Sequence, residues 1–135
     1  MPVKFDIRPI VQKNTELSFD RLRLIQSLAD LQLPDIRRAV VFVFAAWSGP
    51  AVIALRKITR LLSALDLDSV DVIILDNDCM TGDEMIRLFG RVFHGAGETM
   101  WVRDGRVFAE LSSFHPDSEP LVLSYTMELI ENRAS

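Results

Sequence analysis

Polar and apolar residues alternate at the start of the chain, where Val3, Phe5 and Ile7 interleave with Lys4, Asp6 and Arg8. That period of two predicts a strand. Pro9 to Glu16 reads as a loop. From about Ser18 the period changes. Leu22, Ile25, Leu28 and Ala29 recur at helical spacing, with Arg21, Arg23, Gln26 and Asp30 mostly off that stripe. Leu33-Pro34-Asp35 closes the predicted helix, because proline removes a donor and restricts the residue before it. An unbroken apolar run, Ala39 to Ala46, then feeds the turn Trp47-Ser48-Gly49-Pro50-Ala51. Such a run, bounded by turn residues, predicts a strand covered on both faces.

A helix is expected directly after that turn. Ser48 can cap it, and Pro50 is tolerated in a first turn whose N–H groups have no intrahelical partner. The helix runs to about Leu65, with Leu55, Ile58, Leu61, Leu62 and Leu65 as its apolar stripe. Arg56, Lys57 and Arg60 lie off that stripe, as a face for solvent or for an acidic partner. Asp66, Asp68 and Asp71 mark an acidic connection, and Val70 to Leu75 forms the next apolar strand. Thr81 and Glu84 have capping-box spacing, so a third helix starts at Thr81. Its stripe is Met85, Ile86, Phe89, Val92 and Phe93, and Gly95 is its expected stop. Thr99 to Val102 and Val107 to Leu111 are strands joined by Asp104-Gly105, a strong hairpin signal. A last helix begins at Asp117 or Ser118, with Pro120 in its first turn and Val122, Tyr125, Leu129 and Ile130 along one side.

Composition narrows the class. At 135 residues the chain is expected to form one domain, residues 1–135, with one core. A formal net charge of −4 does not favour non-specific nucleic-acid binding. The N-terminus lacks an apolar signal core, and no apolar run is long enough to span a bilayer, so neither export nor a membrane partner is expected. Cys79 is the only cysteine, which excludes an intrachain disulfide. A cytoplasmic location is the corresponding expectation.

The predicted order is β-α-β-α-β-α-β-β-α. Strands alternating with helices imply parallel crossovers, and the final hairpin adds an antiparallel pair. The apolar strand running into Trp47-Ser48-Gly49-Pro50-Ala51 resembles the active-site unit of the thioredoxin family, where such a strand runs into Trp-Cys-Gly-Pro-Cys. A second anchor lies in Gly97-Glu98-Thr99-Met100-Trp101-Val102-Arg103-Asp104-Gly105. It is similar to the family's Pro-Thr, short apolar strand and Asn-Gly or Asp-Gly. The resemblance spans essentially the whole chain and implies an α/β thioredoxin-like fold, a central mixed sheet flanked by helices.

Carried over residue by residue, the resemblance finds the redox machinery replaced. Ser48 and Ala51 occupy the positions of the two cysteines. Phe42 stands where the family has a buried Asp that helps move protons, and Ile74 aligns with the Lys near that Asp. Gly97 stands where the family has a cis-Pro that orients the partner chain, and a cis bond before a non-proline is costly, so residue 97 is expected to be trans. Without a thiolate to generate, a buried carboxylate at position 42 carries only a desolvation cost. Dithiol–disulfide chemistry is therefore not expected.

Other chemistry has weaker support. Cys79 lies by the alignment on the same sheet edge as Trp47, where a nearby helix start can lower a thiol pKa, although a lone Cys is commonly a small buried hydrophobe. Asp76-Asn77-Asp78 resembles the nucleophile motif of haloacid-dehalogenase-like phosphatases or a Mg²⁺ site, but the later motifs such an enzyme needs are missing after residue 95. Ser48 as a nucleophile needs a base, and only His94 and His115 are available. Gly95-Ala96-Gly97 as a phosphate cradle lacks a following helix. No metal and no cofactor is expected.

The reading is a redox-inactive thioredoxin-like domain that binds another protein, or its own copy, as a binding or assembly module through the former active-site edge. The expected contact residues are Trp47, Ser48, Gly49, Pro50, Ala51, His94, Gly97 and Glu98, with Trp47 as anchor. The alternatives are a monothiol or glutathione-linked enzyme using Cys79 or Ser48, and a purely structural subunit of a larger assembly.

Overall fold

The computed structural model describes residues 5–131. Its elements are α1 (Arg8–Asn14), β1 (Leu22–Ile25), β2 (Arg38–Phe44), α2 (Gly49–Leu62), β3 (Asp71–Asp76), α3 (Gly82–Phe89), β4 (Thr99–Arg103), β5 (Arg106–Leu111) and α4 (Glu119–Glu131). The five strands form one mixed sheet in the order β1-β3-β2-β4-β5. β1 and β2 flank β3 in parallel, while β4 runs antiparallel to both β2 and β5. This is an α/β architecture with a central mixed sheet flanked by helices, as the resemblance implies.

The side chains of β2 divide by alternation between two apolar layers. Val40, Phe42 and Phe44 join Ala51, Leu55, Ile58, Trp101 and Val122 on the face covered by α1, α2 and α4. Ala39, Val41 and Val43 join Met85, Phe93, Met100 and Val102 on the other. A strand with both faces covered needs an unbroken apolar sequence, and six of its seven residues are fully buried. Buried Trp101 donates its indole N–H to Thr126 Oγ1 at 3.0 Å, so α4 satisfies the one polar atom that this large side chain brings into the core.

Residues 5–30 depart from their predicted elements. Val3 and Lys4 of the predicted first strand lie outside the described residues. Phe5 to Ile7 is not a strand, and the predicted loop 9–16 contains α1. Asp6 bonds the Arg8 N–H, and the Ile7 N–H donates to Gln26 Oε1 at 2.8 Å, which fixes the entry to this short helix. Ile7 and Val11, four apart and both buried, carry its packing. The helix predicted from Ser18 is instead strand β1, followed by two short 3₁₀ turns at Leu28–Asp30 and Leu33–Asp35. Leu22 and Leu24 pack on one layer while Ile25 enters the other, so an apparent helical stripe is a two-sided strand followed by turns. Leu28, Leu31, Leu33 and Ile36 of this crossover cover the α3 face of the sheet, where a helix was expected.

Elsewhere the punctuation in the sequence operates as anticipated. Ser48 caps α2, Thr81 and Glu84 make a complete capping box on α3, and Asp104-Gly105 turns the hairpin with φ of 52° and 77°. One stop is displaced. α3 ends at Phe89 because Gly90 takes a left-handed φ of 74°, five residues before the expected Gly95. Ile86 and Val92, read as part of the buried stripe, are exposed.

Candidate functional site

Three segments converge at one edge of the sheet: the turn between β2 and α2, the residues after β3, and the loop 94–98 before β4. The first is held by its own cap. Ser48 Oγ accepts the Ala51 N–H at 3.3 Å and donates its proton to the Gly95 carbonyl at 2.5 Å. One hydroxyl thus starts α2 and fastens the loop opposite. Ser48 is buried, and its proton goes to a backbone oxygen rather than to His94, which leaves no geometry for a Ser–His nucleophile.

Glu98 folds that loop. Buried to 1 % exposure, its carboxylate accepts the His94 N–H at 2.6 Å and the Ala96 N–H at 2.9 Å. Its own carbonyl accepts the Val43 N–H at 2.9 Å, which locks the loop to β2. A carboxylate out of water needs such donors, and two backbone amides supply them. Glu98 therefore shapes the edge from beneath rather than meeting a partner.

Two glycines permit the close approach. Gly95 has φ of +72°, and a Cβ there would lie 2.8 Å from the Trp47 ring. Gly97 has φ of +82°, and a Cβ there would lie 2.6 Å from Ala54 Cβ. The described peptide bonds are all trans, including that before Gly97. Proline is confined to φ near about −65°, so position 97 does not accept the family's proline by simple substitution.

Trp47 stands out from this frame. Its side chain is 63 % exposed, and its indole N–H donates to Asp78 Oδ1 at 3.0 Å. Asp78 in turn donates its backbone N–H to Asp76 Oδ1 at 3.0 Å, an Asx turn that ends β3. The Asp76-Asn77-Asp78 carboxylates are thus engaged in turn and indole contacts. Among the described residues no three His, Cys, Asp or Glu side chains cluster to hold a metal ion. Cys79 is partly buried against the Met80, Met85 and Phe93 layer.

The structure brings all the sequence-predicted edge residues together but sorts them by depth. Trp47, Gly49, Pro50 and His94 are exposed, while Ser48, Ala51, Gly97 and Glu98 are buried. The role of Asp78 as the indole acceptor was not legible, because nothing in a local pattern pairs residues 31 positions apart. The clasp made by Glu98 had one available signal: an acidic residue leading directly into an apolar strand.

No protein-family model matches the chain, and no curated protein matches it. Solved structures do. Thioredoxin O2 from Arabidopsis thaliana superposes with a TM-score of 0.63 at 18% identity, over 81% of this chain and 94% of that one. Malassezia sympodialis thioredoxin gives 0.60 at 16% identity, over 78% and 89%. Saccharomyces cerevisiae mitochondrial thioredoxin 3 gives 0.58 at 14% identity, over 78% and 95%. The chain has the thioredoxin-like fold, with a single cysteine and no Cys-x-x-Cys pair. No helix among the described residues is long and apolar enough to cross a membrane.

The correspondence of Ser48 and Ala51 to the dithiol positions has a direct test. Ser48 Oγ already lies over the residue 51 amide. The double variant Ser48→Cys, Ala51→Cys, in a Cys79→Ser background, should close an intrachain disulfide under mild oxidant, since residues three apart in this turn meet the roughly 4.4–6.8 Å Cα separation required. Mass spectrometry reads the loss of two hydrogens. A folded variant in which residues 48 and 51 stay reduced contradicts the correspondence.

Proposed function

We propose that this chain is a thioredoxin-like module without dithiol exchange that binds another protein, or its own copy, through the edge carrying Trp47. The observation that carries this reading is the contrast within one turn. Ser48 and Ala51, in the places of the two thiols, are buried and structurally committed, while Trp47 between them and β2 is 63 % exposed. An indole held out to solvent by a hydrogen bond to Asp78 is a preorganised anchor, and tryptophan is favoured at the energetic centre of recognition surfaces. His94, Gly49 and Pro50 supply the exposed surroundings, and the Ser48–Gly95 and Glu98 contacts keep them rigid. We propose an assembly role in the cytoplasm, on the ground that a chain with a single cysteine is not built on disulfides.

The enzyme alternative has less support. Ser48 is buried with its hydroxyl bonded at both ends, Cys79 is packed against a methionine-rich layer, and Gly97 stands where the resemblance places the family's proline. The native chain should not accelerate reduction of insulin by dithiothreitol, having no dithiol to cycle. Acceleration that disappears in Cys79→Ser would favour the monothiol enzyme instead.

Trp47→Ala tests the anchor. The side chain is mostly in water, so the substitution should cost no more than about 1 kcal/mol, a shift of a few degrees in the thermal midpoint. Capture of partners by immobilised protein from native-host extract should nevertheless be lost. A midpoint that falls steeply makes Trp47 a packing residue. Unchanged capture removes it from the binding surface.

A further inference from the structure

A second surface lies away from the Trp47 edge. Between α2 and the start of α4 runs a groove of about 540 Å³, with apolar lining from Leu61, Phe114 and Leu123. Lys57 and Arg60 border it from α2, and Glu119 from α4. The three basic residues of α2 are not equivalent. Arg56 is turned to α1, where it donates to Asn14 Oδ1. Lys57 and Arg60 are exposed and form no ion pair among the described residues, and neither does Glu119.

Residues three apart on a helix are neighbours on one face. Lys57 and Arg60 therefore present two positive charges about one turn apart, beside an apolar trough, on a chain of net charge −4. We propose that this groove docks an acidic amphipathic helix of a partner protein. Two carboxylates one turn apart would meet Lys57 and Arg60, and the partner's apolar residues would cover Leu61, Phe114 and Leu123. Glu119 sets the orientation, because it repels carboxylates from the α4 side and leaves α2 as their only favourable wall. Complementary charge of this kind fixes register and direction more than affinity. The groove is bordered by two cations, three residues apart on α2, and one carboxylate, so it suits a helix with a few matched carboxylates better than an extended anionic surface. The Trp47 edge is not part of this groove, so the proposal stands independently of it.

The test uses the full chain, labelled with ¹⁵N, and a synthetic helical peptide with Leu and Glu at three- and four-residue spacing. A twin peptide carries Lys in place of every Glu. The acidic peptide should shift amide signals of residues 57–64 and 114–123 and leave those of Trp47 and His94 in place. The double reversal Lys57→Glu, Arg60→Glu concerns two exposed side chains and should leave the fold intact. It should weaken the acidic peptide by about tenfold or more and strengthen the Lys twin. Raising the salt concentration should weaken the acidic peptide as well. The proposal is overturned if millimolar acidic peptide shifts nothing in the groove, if the two peptides bind alike, or if the reversal changes neither. Capture of the protein by phosphatidylglycerol vesicles, lost in the same reversal, with no response to the acidic peptide would reassign the groove to an anionic membrane surface.

Discussion

Phe42→Asp, which restores the carboxyl that the thioredoxin resemblance places at this position, should largely unfold the protein at neutral pH. Phe42 is 1 % exposed in the middle of β2, between Ile74 of β3 and Thr99 of β4, and its layer is built from apolar side chains. Loss of a buried aromatic costs about 3–5 kcal/mol. Burial raises the folded-state pKa of the new carboxyl by about 3 units or more. Holding it protonated at neutral pH then costs about 4 kcal/mol, at about 1.36 kcal/mol per unit. The sum is comparable to the whole stability of a small domain, about 5–15 kcal/mol.

The pH dependence of that loss identifies its cause. A carboxyl whose folded pKa is raised contributes most stability below its unfolded value of about 3.9 and loses it as pH rises through the folded value. Phe42→Asp should therefore gain stability relative to Phe42→Asn as pH falls from neutral towards about 4. Native Asp6 and Glu84 act in the opposite sense. Hydrogen bonds from the Arg8 side chain hold Asp6 well below the usual carboxylate range, and the Thr81 backbone N–H lowers Glu84. Their contributions are lost on acidification but cancel between two variants at the same pH. Urea unfolding of both variants across this range reads the difference. A cooperative Phe42→Asp transition at neutral pH within about 1 kcal/mol of the native chain would mean that position 42 has a polar environment.

Gly97→Ala should cost about 2–5 kcal/mol. A left-handed φ of +82° at a non-glycine residue costs about 1–2 kcal/mol. The added methyl meets Ala54 Cβ at 2.6 Å, and overpacking of this kind costs about 1–3 kcal/mol. The two parts separate experimentally. Ala54→Gly removes the colliding methyl and itself costs about 1 kcal/mol in a helix interior. In the double variant the clash should disappear while the backbone strain persists, giving a favourable coupling of about 1–3 kcal/mol by denaturant unfolding. Strict additivity would show that the loop 94–98 yields instead of pressing on α2.

These two substitutions also fall at positions where the thioredoxin resemblance places other residues. The positions that the resemblance aligns with an Asp and a Pro are occupied by residues that the surrounding structure requires. Phe42 fills a packed layer, and Gly97 supplies a backbone angle unavailable to proline. The edge is maintained by contacts suited to rigidity: the Ser48 bond to Gly95 and the Glu98 clasp on His94 and Ala96.

From the sequence alone the segment from residue 38 onward was legible almost element by element. Its signals are local and strong: an apolar run too long to be one-sided, a Ser cap followed by Pro, a Thr81–Glu84 box, and Asp104-Gly105 between alternating strands. Each encodes a backbone conformation through the chemistry of neighbouring residues, so no distant partner is needed to read it. The turn Trp47 to Ala51, which the resemblance aligns with the dithiol motif, was legible for the same reason. Residues 5–30 were not. Leu22, Leu24 and Ile25 suit a helix stripe or a strand packed on both sides, and only pairing with β3 selects the strand. α1 gains its burial from Ile7 and Val11 against α2 and its entry from Gln26, contacts made across the fold. Depth at the candidate site was likewise a tertiary decision. Trp47 and Ser48 are adjacent in sequence, yet one is in solvent and the other beneath the loop 94–98. Which side chain is covered depends on where that loop lies, and it lies there because Glu98 draws in the amides of His94 and Ala96 and two positive-φ glycines let the backbone pass.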